Sequence, residues 1–300
     1  MFVSHEAGFD GLLSAVAWCL RRRAEHPVLL SAGEEPLLLP VEPVTTEPEI
    51  RAFFARHYTR RLGEAVAREF LDRAFRAYLA EQDGMATRLY RYFYLGWLLG
   101  LDPSAQLQDK DIAAVVQAAA RTGMEAHRYL GLLRFRMLEG DCYLAEFAPD
   151  CHVLPLILSH FMDRLPDQCF VICDRRRLLA ACYQPGRGCS IHRIAEQAEP
   201  DGCALADAIS LLPDRCTVLD AGSEADGGYA RLWVRYLQHL TLPERRNLRL
   251  QRQNLPLKVR AYLTECGSTA PEQADNPYRG TVLSEQKLLP LAGQQPDTNS

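Results

Sequence analysis

Glu125-x-His127-Arg128, followed by Asp150-x-His152 and then by His160, is the grouping in this sequence best suited to moving protons. A carboxylate and an imidazole can trade roles as general acid and base, and histidine titrates closest to neutrality. Such chemistry would need Glu125, His127, His152 and His160 to meet in one place. Their spacing does not achieve that alone. Residues 125 and 127 point to nearly opposite sides of a helix, and 152 and 160 lie two turns apart. Structural hydrogen bonding or substrate contact suits the same side chains.

Anion binding is the second chemistry on offer. The chain holds 34 basic residues, of which only Lys110, Lys258 and Lys287 are lysine. Arginine presents a rigid fork of donors matched to phosphate and carboxylate, although codon bias also enriches it. Arg134-x-Arg136 and the run Arg175-Arg176-Arg177, with Arg128 upstream, read either as a solvated sheet edge or as a phosphate-tracking groove. The segment from Arg231 to Tyr262 is more pointed, with eight basic side chains against one acid, Glu244. Within it Arg245, Arg246, Arg249 and Arg252 recur at helical spacing, interleaved with Asn247 and Gln251. Arg, Asn and Gln are the side chains that reach phosphates and base edges. The whole chain carries a net charge of −4, which excludes a globally basic nucleic-acid coat and leaves a local basic face.

Cys169-x3-Cys173 invites a metal reading, but zinc sites favour C-x2-C in pairs, and the third cysteine of a radical-SAM cluster would fall on Arg176. On a strand, residues 169, 171 and 173 share a face, so the thiols are expected in the core, with no metal and no cofactor. Gly33-Glu34-Glu35-Pro36 faintly resembles a uracil-DNA glycosylase motif, without its His-Pro-Ser counterpart. No Walker loop or G-x-G-x-x-G turn supports nucleotide hydrolysis or dinucleotide chemistry. Ten cysteines spread over 300 residues without a secretory signal read as free thiols in a cytoplasmic protein. The longest apolar stretch, Tyr92–Leu101, is about half a membrane span.

The elements that must position these residues follow from periodicity. Residues 1–23 read as a short strand and a helix, and 24–45 as an extended connection or strand pair. Thr46-Glu47-Pro48-Glu49 reads as a capping box before a helix. Helices are expected over Glu64–Glu81, Met85–Gly100 and Asp109–Leu130, with the aromatic cluster from Tyr90 to Trp97 in the core. Alternation then marks strands at Leu133–Met137, Cys142–Ala148, Cys169–Cys173 and Leu178–Tyr183, with a helix over Val153–Leu165. The class is therefore α+β: a helical N-terminal layer over 1–130, a small antiparallel sheet with one packed helix within 131–195, and basic helices over 229–265. All of 1–265 is read as one domain, and 267–300 as a disordered tail.

Three blocks carry a family resemblance. The first is Phe9-Asp10-Gly11-Leu12-Leu13-Ser14-Ala15-Val16. The second runs from Glu125-Ala126-His127-Arg128-Tyr129-Leu130-Gly131 through Arg134-Phe135 to Pro149-Asp150-x-His152-Val153-Leu154-Pro155. The third is Leu232-Trp233-x-x-Tyr236 with Pro243-Glu244-Arg245-Arg246-Asn247-x-Arg249-Leu250-Gln251-Arg252. With His160-Phe161 and Asp174-x-x-Arg177, they resemble a bacterial family of DNA metabolism or DNA repair proteins. The resemblance implies DNA as a partner, and a neighbouring radical-SAM protein with a helix-hairpin-helix region; the same domain occurs fused to uracil-DNA-glycosylase-like domains. Three functions stay open: a DNA-binding accessory protein, a nucleic-acid hydrolase or lyase using Glu125, His127, His152 and His160, and a protein-interaction module.

Overall fold

Short apolar strands must find neighbours for their backbone groups, and at the N-terminus they do so in parallel. The computed structural model describes residues 1–33, 38–138 and 142–194, and then Leu232, Arg235, Tyr236, Leu255, 257–260, Tyr262 and Leu263. The chain divides into two compact units.

The first unit comprises Met1–His127 with Asp150–Val153. Strand β1 (Phe2–His5) lies between β2 (Val28–Ser31) and β3 (Val41–Val44), parallel to both, with Val3 opposite Leu29 and Glu42. Parallel neighbours need a crossover, and helix α1 (Phe9–Arg21) supplies it between β1 and β2. Leu12, Leu13 and Val16 are fully buried along α1. Helix α2 (Ile50–Leu62) meets α3 (Glu64–Tyr78) at Gly63, whose φ of 83° suits glycine alone. Helices α4 (Met85–Leu99) and α5 (Lys110–Leu132) follow.

Rings from α2, α3 and α4 form the core: Phe70 stacks on Tyr92 at 4.5 Å, and Phe54 meets Phe93 edge-on at 5.1 Å. The Tyr58 hydroxyl donates to the Phe93 carbonyl at 2.7 Å. Tyr92 and Phe93 are wholly buried, as expected for core rings. The capping box does not form. Glu6 takes the amide and hydroxyl of Thr46, Glu47 pairs with Arg21 at 2.5 Å, and α2 begins at Ile50 without a side-chain cap.

The second unit comprises Arg128–Pro149 and the described residues of Leu154–Asp275. Its sheet has the order β4 (Phe135–Leu138), β5 (Cys142–Phe147), β6 (Cys169–Asp174), β7 (Leu179–Gln184), β8 (Gly188–Arg193). The α+β class holds, but the sheet is mixed and not antiparallel throughout: β5 and β6 run parallel. Helix α6 (Leu154–Arg164) is the crossover between them, and β8 extends the sheet by one strand. On one face Phe135 packs against Phe161 and Phe170 at 5.3 and 5.8 Å. The other face buries Cys142, Leu144, Val171, Cys173, Ala180 and Cys182 with Ile194.

The expected basic helices over 229–265 and the tail from 267 lie outside the described residues, apart from the isolated positions named above. Those include a single helical turn at Leu257–Arg260, followed by the buried Leu263.

Candidate nucleic-acid interface

Strand alternation puts Arg136 on the same face as Leu144, its partner across the β4–β5 ladder, and as Glu146 two residues further on. Glu146 is an acid on a face otherwise filled by Cys142 and Leu144, so it needs a partner. It has two. Its Oε2 accepts from Arg136 Nη2 at 2.9 Å, and its Oε1 from Arg175 Nη1 at 3.2 Å. The side chains of Arg136 and Arg175 are 43% and 41% exposed, against 23% for Glu146. One carboxylate thus orients two guanidiniums and leaves a local excess of positive charge. Tyr262 lies within electrostatic reach of Arg175 and Glu146, and burial pushes its hydroxyl pKa up.

The other arginines separate by role. Asp174 closes the turn after β6: its Oδ1 accepts the amides of Arg176 and Arg177 at 3.0 and 3.2 Å. Its Oδ2 binds Arg177 Nη1 at 3.0 Å, and that guanidinium also donates to the Pro149 carbonyl. Arg177 therefore points inward, with Asp174 fully buried, whereas Arg175 and Arg176 are exposed. Burial raises the Asp174 carboxyl above its ordinary value, and Arg177 pulls it back. Arg134 donates to the Gly131 carbonyl at 2.8 Å near the C-terminal end of α5, where a cation suits the helix dipole. Arg128 is exposed. Arg245, Arg246, Asn247, Arg249, Gln251 and Arg252 lie outside the described residues.

The acid–base group is distributed over both units. In the first, both oxygens of Glu125 accept backbone amides, from Asp150 and Cys151, each at 2.8 Å. The His152 amide donates to the Leu79 carbonyl at 2.8 Å, and His127 is exposed on α5. In the second, His160 is exposed on α6, edge-on to Phe161. The sequence marked Glu125 as a titratable group; its use as an anchor for a turn 25 residues later had no local signal. Glu146 and Asp174 were missed as organisers, although an acid on an apolar strand face and an Asp opening a turn were available clues.

Cys142, Cys173 and Cys182 lie in the core, and Cys169 packs partly buried against it. Burial pushes the Cys173 and Cys182 thiols up to about 12. Among the described residues, no three His, Cys, Asp or Glu side chains are grouped to hold a metal ion, and no helix is long and apolar enough to cross a membrane.

A family model described as a domain of unknown function, DUF4130, matches residues 83–265. That span takes in the five-stranded sheet and the residues placed in this section other than Leu79. No curated protein and no solved structure matches the chain.

Proposed function

The chain belongs to the DUF4130 family, and on that footing we propose that it is a DNA-binding protein of DNA metabolism or repair. Its arginines hold the phosphate backbone while a radical-SAM protein with a helix-hairpin-helix region acts on the DNA. The observation that carries this reading is the Arg136–Glu146–Arg175 cluster. A one-to-one surface ion pair would be neutral and nearly indifferent to phosphate. Two guanidiniums on one carboxylate keep a positive excess, are held in place beforehand, and have further N–H groups free of Glu146 to offer a phosphate. Arg128, Arg134 and Arg176 belong to the same unit, and the Arg245–Arg252 stripe extends the set in sequence. The likeness to DNA repair proteins rests on blocks that lie mostly within the matched span.

Glu125, His127, His152 and His160 are given no proton transfer in this reading, since Glu125 already holds two amides.

Fluorescence anisotropy with a short duplex over a salt series tests the proposal. Each phosphate contact adds roughly −0.9 to the slope of log K against log salt, so Arg136→Ala with Arg175→Ala should flatten it by about 2. Arg68→Ala, an exposed partner of Glu64 in the first unit, should leave it unchanged. An unaltered slope and affinity in the double variant would overturn the reading. Capture of the radical-SAM partner that survives nuclease treatment would move the function toward protein interaction.

A further inference from the structure

Helices α1, α2 and α4 line a pocket of about 130 Å³, partly open to solvent, in the first unit, with Leu20, Arg21, Phe53, His57, Tyr58 and Trp97 among its walls. Its volume is close to the roughly 150 Å³ of an enclosed apolar cavity known to admit a single benzene ring. Two of its features are unusual for a packing defect. Phe53 is left 40% exposed although it stacks on His57, with ring centroids 6.0 Å apart. The His57 Nε2 is buried and has no hydrogen-bond partner. Tyr58, by contrast, has spent its hydroxyl on the Phe93 carbonyl.

Of the cations near the pocket, the lining Arg21 is answered by a carboxylate. Arg21 lies over the Phe53 ring at 5.5 Å and is anchored by Glu47. Arg60 and Arg61 are exposed, and among the described residues neither is paired with a carboxylate. The Arg61 Nη2 sits beside Gly100, three residues beyond Trp97. Burial, then Arg61 and Arg60, hold His57 below its ordinary value, so the imidazole is neutral near pH 7 and Nε2 can make one ordinary hydrogen bond.

We propose that this cavity binds a small planar aromatic anion: a single six-membered ring inside, hydrogen-bonded by His57, with its phosphate or carboxylate turned toward Arg61. The ring contributes by burying its faces against Phe53, Tyr58 and Trp97, and the anion by satisfying an otherwise unpaired cation. A pyrimidine nucleotide and a simple aromatic acid share the ring and the anion, and the pyrimidine adds ring carbonyl and N–H groups for His57. A purine is too large. The site uses only residues of the first unit and is independent of the arginines assigned to DNA.

Isothermal titration of the full chain with phenyl phosphate and thymidine 5′-monophosphate tests it, with inorganic phosphate and phenol as controls. At least one aromatic phosphate should bind, and the tighter of the two identifies the source. Leu20→Phe, which fills the cavity, should weaken that probe by about tenfold or more. Arg61→Gln lies on the surface and does not threaten folding. It should weaken the same probe about fivefold and leave phenol unchanged. The proposal fails if neither aromatic phosphate binds at about 5 mM. It fails equally if inorganic phosphate binds as well as they do, or if Leu20→Phe and Arg61→Gln both bind like the wild type. Duplex binding measured in parallel should be unaffected by Leu20→Phe, so loss of this site and loss of the DNA reading are separable.

Discussion

Glu125 shows how a residue type can promise one chemistry and perform another. A carboxylate accepting two amides at 2.8 Å spends its charge on the Asp150–Cys151 turn. Hydrogen bonds to a charged group contribute about 1.5–3 kcal/mol each, less where water competes. Glu125→Ala should therefore cost roughly 2–4 kcal/mol, seen as a lower urea midpoint with unchanged slope. Glu125→Gln should cost nearly as much, because its amide nitrogen opposes one backbone N–H. Duplex affinity should persist in both wherever they are folded. If Glu125→Gln unfolds like the wild type yet loses a catalytic turnover, the acid–base reading returns. At this scale the sequence exposed the right residue, but not its job. The partner amides lie far along the chain and belong to the backbone, which no side-chain spacing can mark.

Elements were more legible than their connections. Alternation at Phe135 and Met137 and the 3.6 period along α1 and α5 report which face is buried, because burial acts on each element separately. Strand direction leaves no such mark. The periodicity over Val153–Leu165 gives a helix packed on a sheet, whereas a helix of that length between neighbouring strands is what lets β5 and β6 run parallel. The Thr46–Glu49 signature fails for a related reason: Glu6, distant in the chain, takes the Thr46 amide and hydroxyl that a capping box would use. The β1–α1 connection depends on a close approach instead. A Cβ on Gly11 would lie 2.1 Å from the Glu6 carbonyl oxygen, backbone against backbone. Gly11→Ala should therefore destabilise by about 3 kcal/mol or more, lowering the thermal midpoint by several degrees. Gly131→Ala in α5 meets nothing within 4 Å and should be neutral or stabilising by up to about 1 kcal/mol. Equal midpoints for the two variants would refute this account of the turn.

For the molecule as a whole, the family match and the folded core have different limits. The match opens at residue 83, just ahead of α4, whose Leu89, Tyr92 and Phe93 are completely buried. The ring partners of Tyr92 and Phe93, namely Phe54, Tyr58 and Phe70, all precede it in the chain. Earlier backbone is tied in as well: the Leu29 amide donates to the Thr87 hydroxyl, and the Tyr90 hydroxyl to the Ala24 carbonyl, each at 2.9 Å. Uncovering three such side chains forfeits roughly 5–9 kcal/mol, which is comparable to the whole stability of a typical domain. A fragment of residues 83–265 should thus lack a cooperative melt for this region and bind a hydrophobic dye. Residues 1–82 supplied as a separate chain should reverse both. A fragment that melts at the full-length midpoint without dye binding would mean that α4 finds other cover. If the expected result is obtained, DNA affinities measured on the matched span alone would describe a partly unfolded chain, and the salt-slope comparison of Arg136 and Arg175 variants would have meaning only in the complete one.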